Sequence, residues 1–227
     1  MSKPTYKLTV LISGNGTNLQ ALIDACTSSA LPSTRIVRVI SNRKSAYGLT
    51  RAATASIPTA YHNLQPYKKQ HPDTADGISA ARSAYDADLA ALVLADAPDL
   101  VVCAGWMHIL APSFLTPLAA AEVPVINLHP ALPGEFAGAG AIERAWEAFR
   151  KGEVKKTGVM IHEVIAEVDA GRPIVVEEVK MREGETLEEL EERMHKVEHG
   201  LIVEGTKRTL KEIEERRTKR KSEGEVW

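Results

Sequence analysis

The chain has 227 residues, 44% hydrophobic and 26% charged, with a formal net charge of −2 at pH 7. That length suffices for one large α/β domain with a sizeable core, and the near-neutral balance supplies no global field for holding nucleic acid or an anionic membrane. The apolar run at residues 8–12 is too short for a signal-peptide core and far too short to span a bilayer.

Strand and helix patterns alternate through the first half. Residues 7–13 are nearly continuously apolar, as in a parallel strand buried on both faces. A glycine-rich turn over 13–16 leads into a helix over about 17–28. A Val- and Ile-rich strand spans 35–41, a short helix 47–55 and a short strand 58–61. Residues 63–77 are polar, contain Pro66 and Pro72, and read as loop. An Ala- and Leu-rich helix over 78–95 stops before Pro98; a strand at 100–104, a helix at 112–120 and a strand at 123–128 follow. Cys26 and Cys103 lie in apolar surroundings without a partner motif and read as buried free thiols, which suggests a reducing, cytoplasmic location.

The second half differs. Residues 130–140 form a Pro/Gly loop, 141–150 a helix, and 158–164 and 173–180 two strands joined closely enough for a hairpin at the sheet edge. Thr186, with Glu189 three residues on, is a capping-box pattern. Leu187, Leu190, Met194, Val197 and Leu201 then form one apolar helical stripe. The expected fold is an α/β open twisted, mostly parallel sheet with an antiparallel C-terminal hairpin and a long C-terminal helix. One domain covers 1–227, with a charged, partly disordered tail over about 213–227. The basic run 216–221 is compatible with a nucleic-acid arm or a solvated helix end, and the second reading is preferred.

Ser13-Gly14-Asn15-Gly16-Thr17-Asn18 sits between the first strand and the first helix, where unpaired N–H groups and the positive end of the helix dipole face an anion. A monophosphate site is the favoured reading; a tight turn without ligand is the alternative. A dinucleotide site is disfavoured, because Leu19 occupies the third glycine position and Ser41-Asn42-Arg43 stands where an acidic residue would hold a ribose.

Asn127 and His129, two residues apart at the end of a strand, share one face. Asp169 lies in the turn between the last two strands, where a purely conformational role is the competing explanation. Acyl transfer uses these residue types: an amide and an imidazolium can stabilise a tetrahedral oxyanion, and a carboxylate beside the imidazole is expected to raise its pKa. His162 alternates along a strand and receives no assigned function.

Four motifs occur in order: Leu11-Ile-Ser-Gly-Asn-Gly-Thr-Asn-Leu19, Ala104-Gly-Trp-Met-His-Ile-Leu110, Ile126-Asn-Leu-His-Pro-Ala-Leu-Pro133 and Glu167-Val-Asp-Ala-Gly-Arg-Pro173. With them the chain resembles the phosphoribosylglycinamide formyltransferase family, its fungal members above all, over about residues 8–210. The resemblance implies a Rossmann-like formyltransferase fold and formyl transfer from 10-formyltetrahydrofolate, a co-substrate, to 5-phosphoribosylglycinamide in purine biosynthesis. No metal, nucleic acid or membrane is expected to take part, and the chain is expected to be a monomer or weak homodimer. It also implies a catalytic trio of Asn127, His129 and Asp169. Substrate contacts fall to Gly16, Thr17, Asn18, His195 and Glu198, and folate contacts to Arg82, Met107, His108, Ile109, Leu110 and Asn127. Residues 137–140 depart from the pattern of relatives, which carry larger polar side chains there, so the loop over 134–140 is expected to be more mobile. The competing functions are an initiator-tRNA formyltransferase, a formyl-folate hydrolase, a non-catalytic sensor and, from Arg43, an NADP oxidoreductase.

Overall fold

The computed structural model describes residues 6–223. Its elements are β1 (Tyr6–Ile12), α1 (Thr17–Cys26), β2 (Thr34–Ser41), α2 (Tyr47–Thr54), β3 (Thr59–Tyr61), α3 (Gln65–Lys69), α4 (Ala75–Leu94), β4 (Leu100–Cys103), α5 (Pro112–Ala120), β5 (Val125–His129), α6 (Ala141–Arg150), β6 (Lys156–Glu163), β7 (Pro173–Lys180) and α7 (Leu187–Ser222). The strands form one seven-stranded sheet in the order β3-β2-β1-β4-β5-β6-β7. β1 to β5 are parallel, and β6 and β7 run antiparallel to their neighbours.

Alternation along the central strands builds a core on each face. Leu8, Val10 and Ile12 of β1, with Leu100 and Val102 of β4, pack on one side against α1 and α7 residues such as Leu22, Leu190, Met194 and Ile202. Leu11, Val101 and Cys103 point the other way, toward Tyr85 and Leu89 of α4 and Phe114 and Leu118 of α5. Cys103 is buried, whereas Cys26 is only half-buried.

Three elements differ from the pattern read in the sequence. The polar stretch 63–77 contains α3: Pro66 sits in its first turn, where the missing N–H costs nothing, and the Asn63 side chain accepts from Gln65 N–H at 3.0 Å. α4 begins at Ala75, because Thr74 caps it by accepting from Gly77 N–H at 3.2 Å. α7 continues to Ser222 through most of the stretch assigned to the tail, and residues 224–227 of that tail lie outside the described residues. Several of its exposed charges are paired. Arg208 meets Glu204 at 2.6 Å, Arg217 reaches Asp99 at 2.5 Å, and Arg220 bonds Glu122, tying the helix end to the sheet and to the end of α5. The capping box forms as expected, with Glu189 N–H donating to Thr186 Oγ1 at 3.2 Å and Thr186 N–H donating to Glu189 Oε2 at 2.9 Å.

The strand order reverses between β1 and β4, and the crevice beyond the C-terminal ends of such strands is where open α/β sheets bind ligands. The loops after β1 and β4 are joined there. Ser13 N–H donates to Gly105 O at 2.9 Å, and Met107 N–H donates to Ser13 Oγ at 2.9 Å.

Candidate active site

The rim of β5 carries the first two groups. Asn127 is partly exposed and His129 is buried, both on one face of the strand. Antiparallel β6 then places His162 directly opposite Asn127, with Asn127 Nδ2 3.2 Å from His162 Nε2. His162 Nδ1 lies 2.8 Å from the Glu163 carbonyl, which can only accept, so this ring nitrogen carries a proton.

Asp169 completes the group from the turn between β6 and β7. Its backbone is left-handed, at φ 54°, a conformation Asp tolerates better than most residues. The neighbouring Gly171 lies so close to the Glu163 carbonyl that a side chain there would collide with it, and this contact presses the turn against the end of β6. The turn thus gives Asp169 a conformational reason, and its carboxylate also reaches the groups on β5 and β6. One carboxylate oxygen lies 3.4 Å from Asn127 Nδ2 and 3.4 Å from His162 Nε2. The other lies 3.4 Å from His129 Nδ1 and accepts from Gly138 N–H at 2.8 Å. Burial, the largest influence, pushes the Asp169 carboxyl up. The bonds with His162 and Gly138 and the two imidazoles outweigh it and hold the group down at about 2.

His129 behaves differently from the expectation. Burial dominates and pushes its pKa below 6.5; Asp169 and the Glu135 carbonyl oppose this without reversing it, and His162 and Arg144 add to it. The reason is that the ring is almost wholly removed from water, while the carboxylate meets it at a long 3.4 Å and is shared among four partners. The site thus favours the neutral form of His129, and among the described residues its Nε2 is buried without a hydrogen-bond partner.

The remaining candidates fall around a cleft of about 410 Å³ lined by His129, Asn127, Asp169, Asn18, Glu198 and the segment from Gly105 to Leu110. Asn18 Nδ2 donates to the buried Glu198 Oε2 at 2.8 Å, bringing the glycine loop and α7 together. Gly16 is the left-handed N-cap of α1, which has no side-chain cap and no acidic residue in its first turn. A Cβ on Gly16 would lie 2.7 Å from Gly48 Cα, so this glycine serves close packing against α2; one on Gly14 would meet nothing within 4 Å. Gly16→Ala is therefore expected to destabilise the protein by about 1–3 kcal/mol, read by thermal unfolding.

Met107 and Ile109 stand exposed on the cleft rim, and Leu110 is buried behind them. Burial, aided by Arg82 and Arg43, lowers His108 to about 4. Four of the candidates do not line the cleft: Gly16 and Thr17 stand beside it at the start of α1, His195 is exposed on α7, and Arg82 donates to the Ile109 carbonyl, with Asp86 3.9 Å away. The loop over 134–140 is hydrogen-bonded to α6 and to Asp169. Arg144 Nη2 donates to the carbonyls of Phe136 at 2.6 Å and Ala137 at 2.8 Å. His162 is the residue missed in the sequence. Its place opposite Asn127 follows from strand register, and only its alternation along the strand hinted at it. A wider cleft of about 860 Å³ between α5 and the end of α7 contains none of the candidates. Among the described residues no His/Cys/Asp/Glu group is arranged to hold a metal ion, and no helix is long and apolar enough to cross a membrane.

This geometry agrees with sequence kinship. The family profile described as Formyl transferase matches residues 6–206. The chain belongs to the formyl transferase family. It is 52% identical over 198 residues to the phosphoribosylglycinamide formyltransferase of Schizosaccharomyces pombe, covering 87% of this chain and 93% of that protein. It is 48% identical over 212 residues to that of Saccharomyces cerevisiae, covering 91% and 98%. Among solved structures, glycinamide ribonucleotide transformylase 1 from Symbiobacterium toebii superposes with a TM-score of 0.74 at 34% identity, covering 88% of this chain and 85% of that one. As a formyl transferase, the chain places its buried polar cluster at the sheet's switch-point crevice, beside the loops after β1 and β4.

Proposed function

We infer that this chain transfers the formyl group of 10-formyltetrahydrofolate to the amine of 5-phosphoribosylglycinamide, giving formylglycinamide ribonucleotide and tetrahydrofolate, a step of de novo purine biosynthesis. The observation that carries this reading is the meeting of Asn127, His129 and Asp169 in one cleft that also reaches Asn18 and Glu198.

The uncapped first turn of α1, with Gly16, Thr17 and Asn18, is suited to a phosphate, and Glu198, steered by Asn18, is suited to ribose hydroxyls. Exposed Met107 and Ile109 offer apolar contact for a pterin ring. The long contacts of the Asn127 amide, 3.2 and 3.4 Å, leave it able to redirect an N–H toward a developing oxyanion. In the transfer, the amine nitrogen bonds to the formyl carbon, the bond from that carbon to the folate nitrogen breaks, and one proton passes from the amine to that nitrogen. Neutral His129 takes this proton at Nε2, and Asp169 stabilises the imidazolium until the proton is delivered. The work is assigned to residues 1–227 as a single domain acting in the cytoplasm on small molecules.

A pH dependence follows. The folded site holds His129 below 6.5, so its neutral form persists to lower pH. As pH falls, kcat/KM is expected to drop along an acid limb centred below 6.5; a limb centred above 6.5 contradicts the proton-acceptor role. The decisive assay follows absorbance of formyl-folate with and without the phosphoribosylated amine. Folate release only in its presence supports transfer, and equal release in its absence identifies a hydrolase.

A further inference from the structure

We propose that Arg144 is a positioning residue for the catalytic carboxylate, acting through the peptide group that joins Ala137 to Gly138. This inference rests on the assignment of Asp169 and His129 to the reaction.

The peptide group is held at both ends. Its oxygen accepts from Arg144 Nη2 at 2.8 Å, and its N–H donates to Asp169 Oδ2 at 2.8 Å. The same guanidinium nitrogen also donates to Phe136 O at 2.6 Å and lies 3.4 Å from Gly138 O, so one side chain gathers three consecutive carbonyls. A cation on the oxygen of a peptide polarises its N–H and strengthens the bond that N–H donates. The loop needs such a tie. Phe136 and Gly138 both have left-handed backbone, at φ 45° and 86°, and for Phe136, which has a Cβ, that conformation is strained. Without Arg144 the loop has reason to relax, and the Gly138 N–H leaves Asp169. Arg144 is exposed on α6, so its removal leaves the hydrophobic core intact.

The readout lies at His129. The groups facing it are Asp169 and His162 from β6 and the turn after it, the Glu135 carbonyl from the loop after β5, and Arg144 from α6; Glu198 lies on the α7 side of the cleft. The Arg144 charge disfavours the imidazolium, so its removal raises the His129 pKa and moves the acid limb of kcat/KM to higher pH.

The experiment compares Arg144→Gln, Arg144→Lys and Asp169→Asn in the full chain by kcat, KM, pH profile and melting temperature. Arg144→Gln is expected to lower kcat by up to roughly 10²-fold, shift the acid limb upward and leave the melting temperature nearly unchanged. Arg144→Lys keeps the charge but not the longer, planar guanidinium that brings Nη2 to the three carbonyls, so it restores the limb while recovering only part of kcat. Wild-type kcat and limb in Arg144→Gln, beside an inactive Asp169→Asn, overturn the positioning role alone. A fall in kcat with a lowered melting temperature and an unmoved limb also overturns it, as a structural effect. Wild-type turnover in Asp169→Asn overturns the underlying catalytic assignment.

Discussion

His129→Ala is expected to lower kcat by roughly 10²–10⁴-fold, the range for removing a positioned general acid–base. The size follows from the surroundings of the ring. His129 is 4% exposed, and among the described residues its Nε2 has no hydrogen-bond partner, so no side chain among them is placed to exchange the proton in its stead. His162 is also buried, but its Nδ1 is committed to the Glu163 carbonyl and its Nε2 faces Asn127 and Asp169. Because the loss is in proton transfer, kcat should fall while the KM values for both substrates stay close to wild type, and the acid limb assigned to His129 should vanish from the pH profile. Steady-state kinetics on the purified variant settle this; turnover within a few-fold of wild type removes His129 from the mechanism.

Asp169→Asn has the second large expected effect, a loss of roughly 10²–10⁴ in kcat by analogy with amide replacement of a carboxylate that orients a catalytic imidazole. The carboxylate touches four groups at once: Asn127 Nδ2, His129 Nδ1, His162 Nε2 and Gly138 N–H. An amide keeps the volume but supplies only one acceptor oxygen, so one side of this set loses its partner. It also removes the negative charge that favours imidazolium. His129 should therefore titrate still lower than in the native protein, and the residual activity should show an acid limb displaced further down. The linkage to stability has a fixed sign. Asp169 is held down to about 2, below its ordinary 3.8, so its ionised form contributes stability that is full above the ordinary carboxylate range and is lost as pH falls toward 2. Asp169→Asn should unfold with a weaker acid dependence over that window, measured by denaturant midpoints from pH 5 to pH 2.

The relation between His129 and its carboxylate shows how far residue type alone carries the argument. The sequence places Asn127 and His129 on one face because strand periodicity is a local property, and the glycine loop before α1 is readable because strand, turn and helix start are contiguous. The sign of the His129 shift was not readable. It depends on how completely the ring is dehydrated and on a 3.4 Å separation set by residues forty positions apart in the chain. Residue 162 carries the same lesson. An isolated His in an alternating strand has no reason to be chosen, and only the antiparallel pairing of β6 against β5 sets it opposite Asn127. Arg144 reads as a solvated helix residue until the chain folds back and brings three carbonyls under it.

What the sequence determined by itself is whatever depends on neighbours within a turn or a strand. This includes the alternation of strands and helices, the capping box at Thr186 and Glu189, the apolar stripe of α7 and the ordered motifs that mark the formyl transferase family. Tertiary structure decided the distances, the burial and the partners. α7 runs past its predicted stripe with Leu210 and Ile213 still buried, while Arg217 and Arg220 meet Asp99 just before β4 and Glu122 just after α5, and Arg144 and Asp169 hold opposite ends of one peptide group in the loop over 134–140. The physical reason is common to both. Electrostatic and desolvation energies depend on separation and water access in three dimensions, and neither is a function of position along the chain.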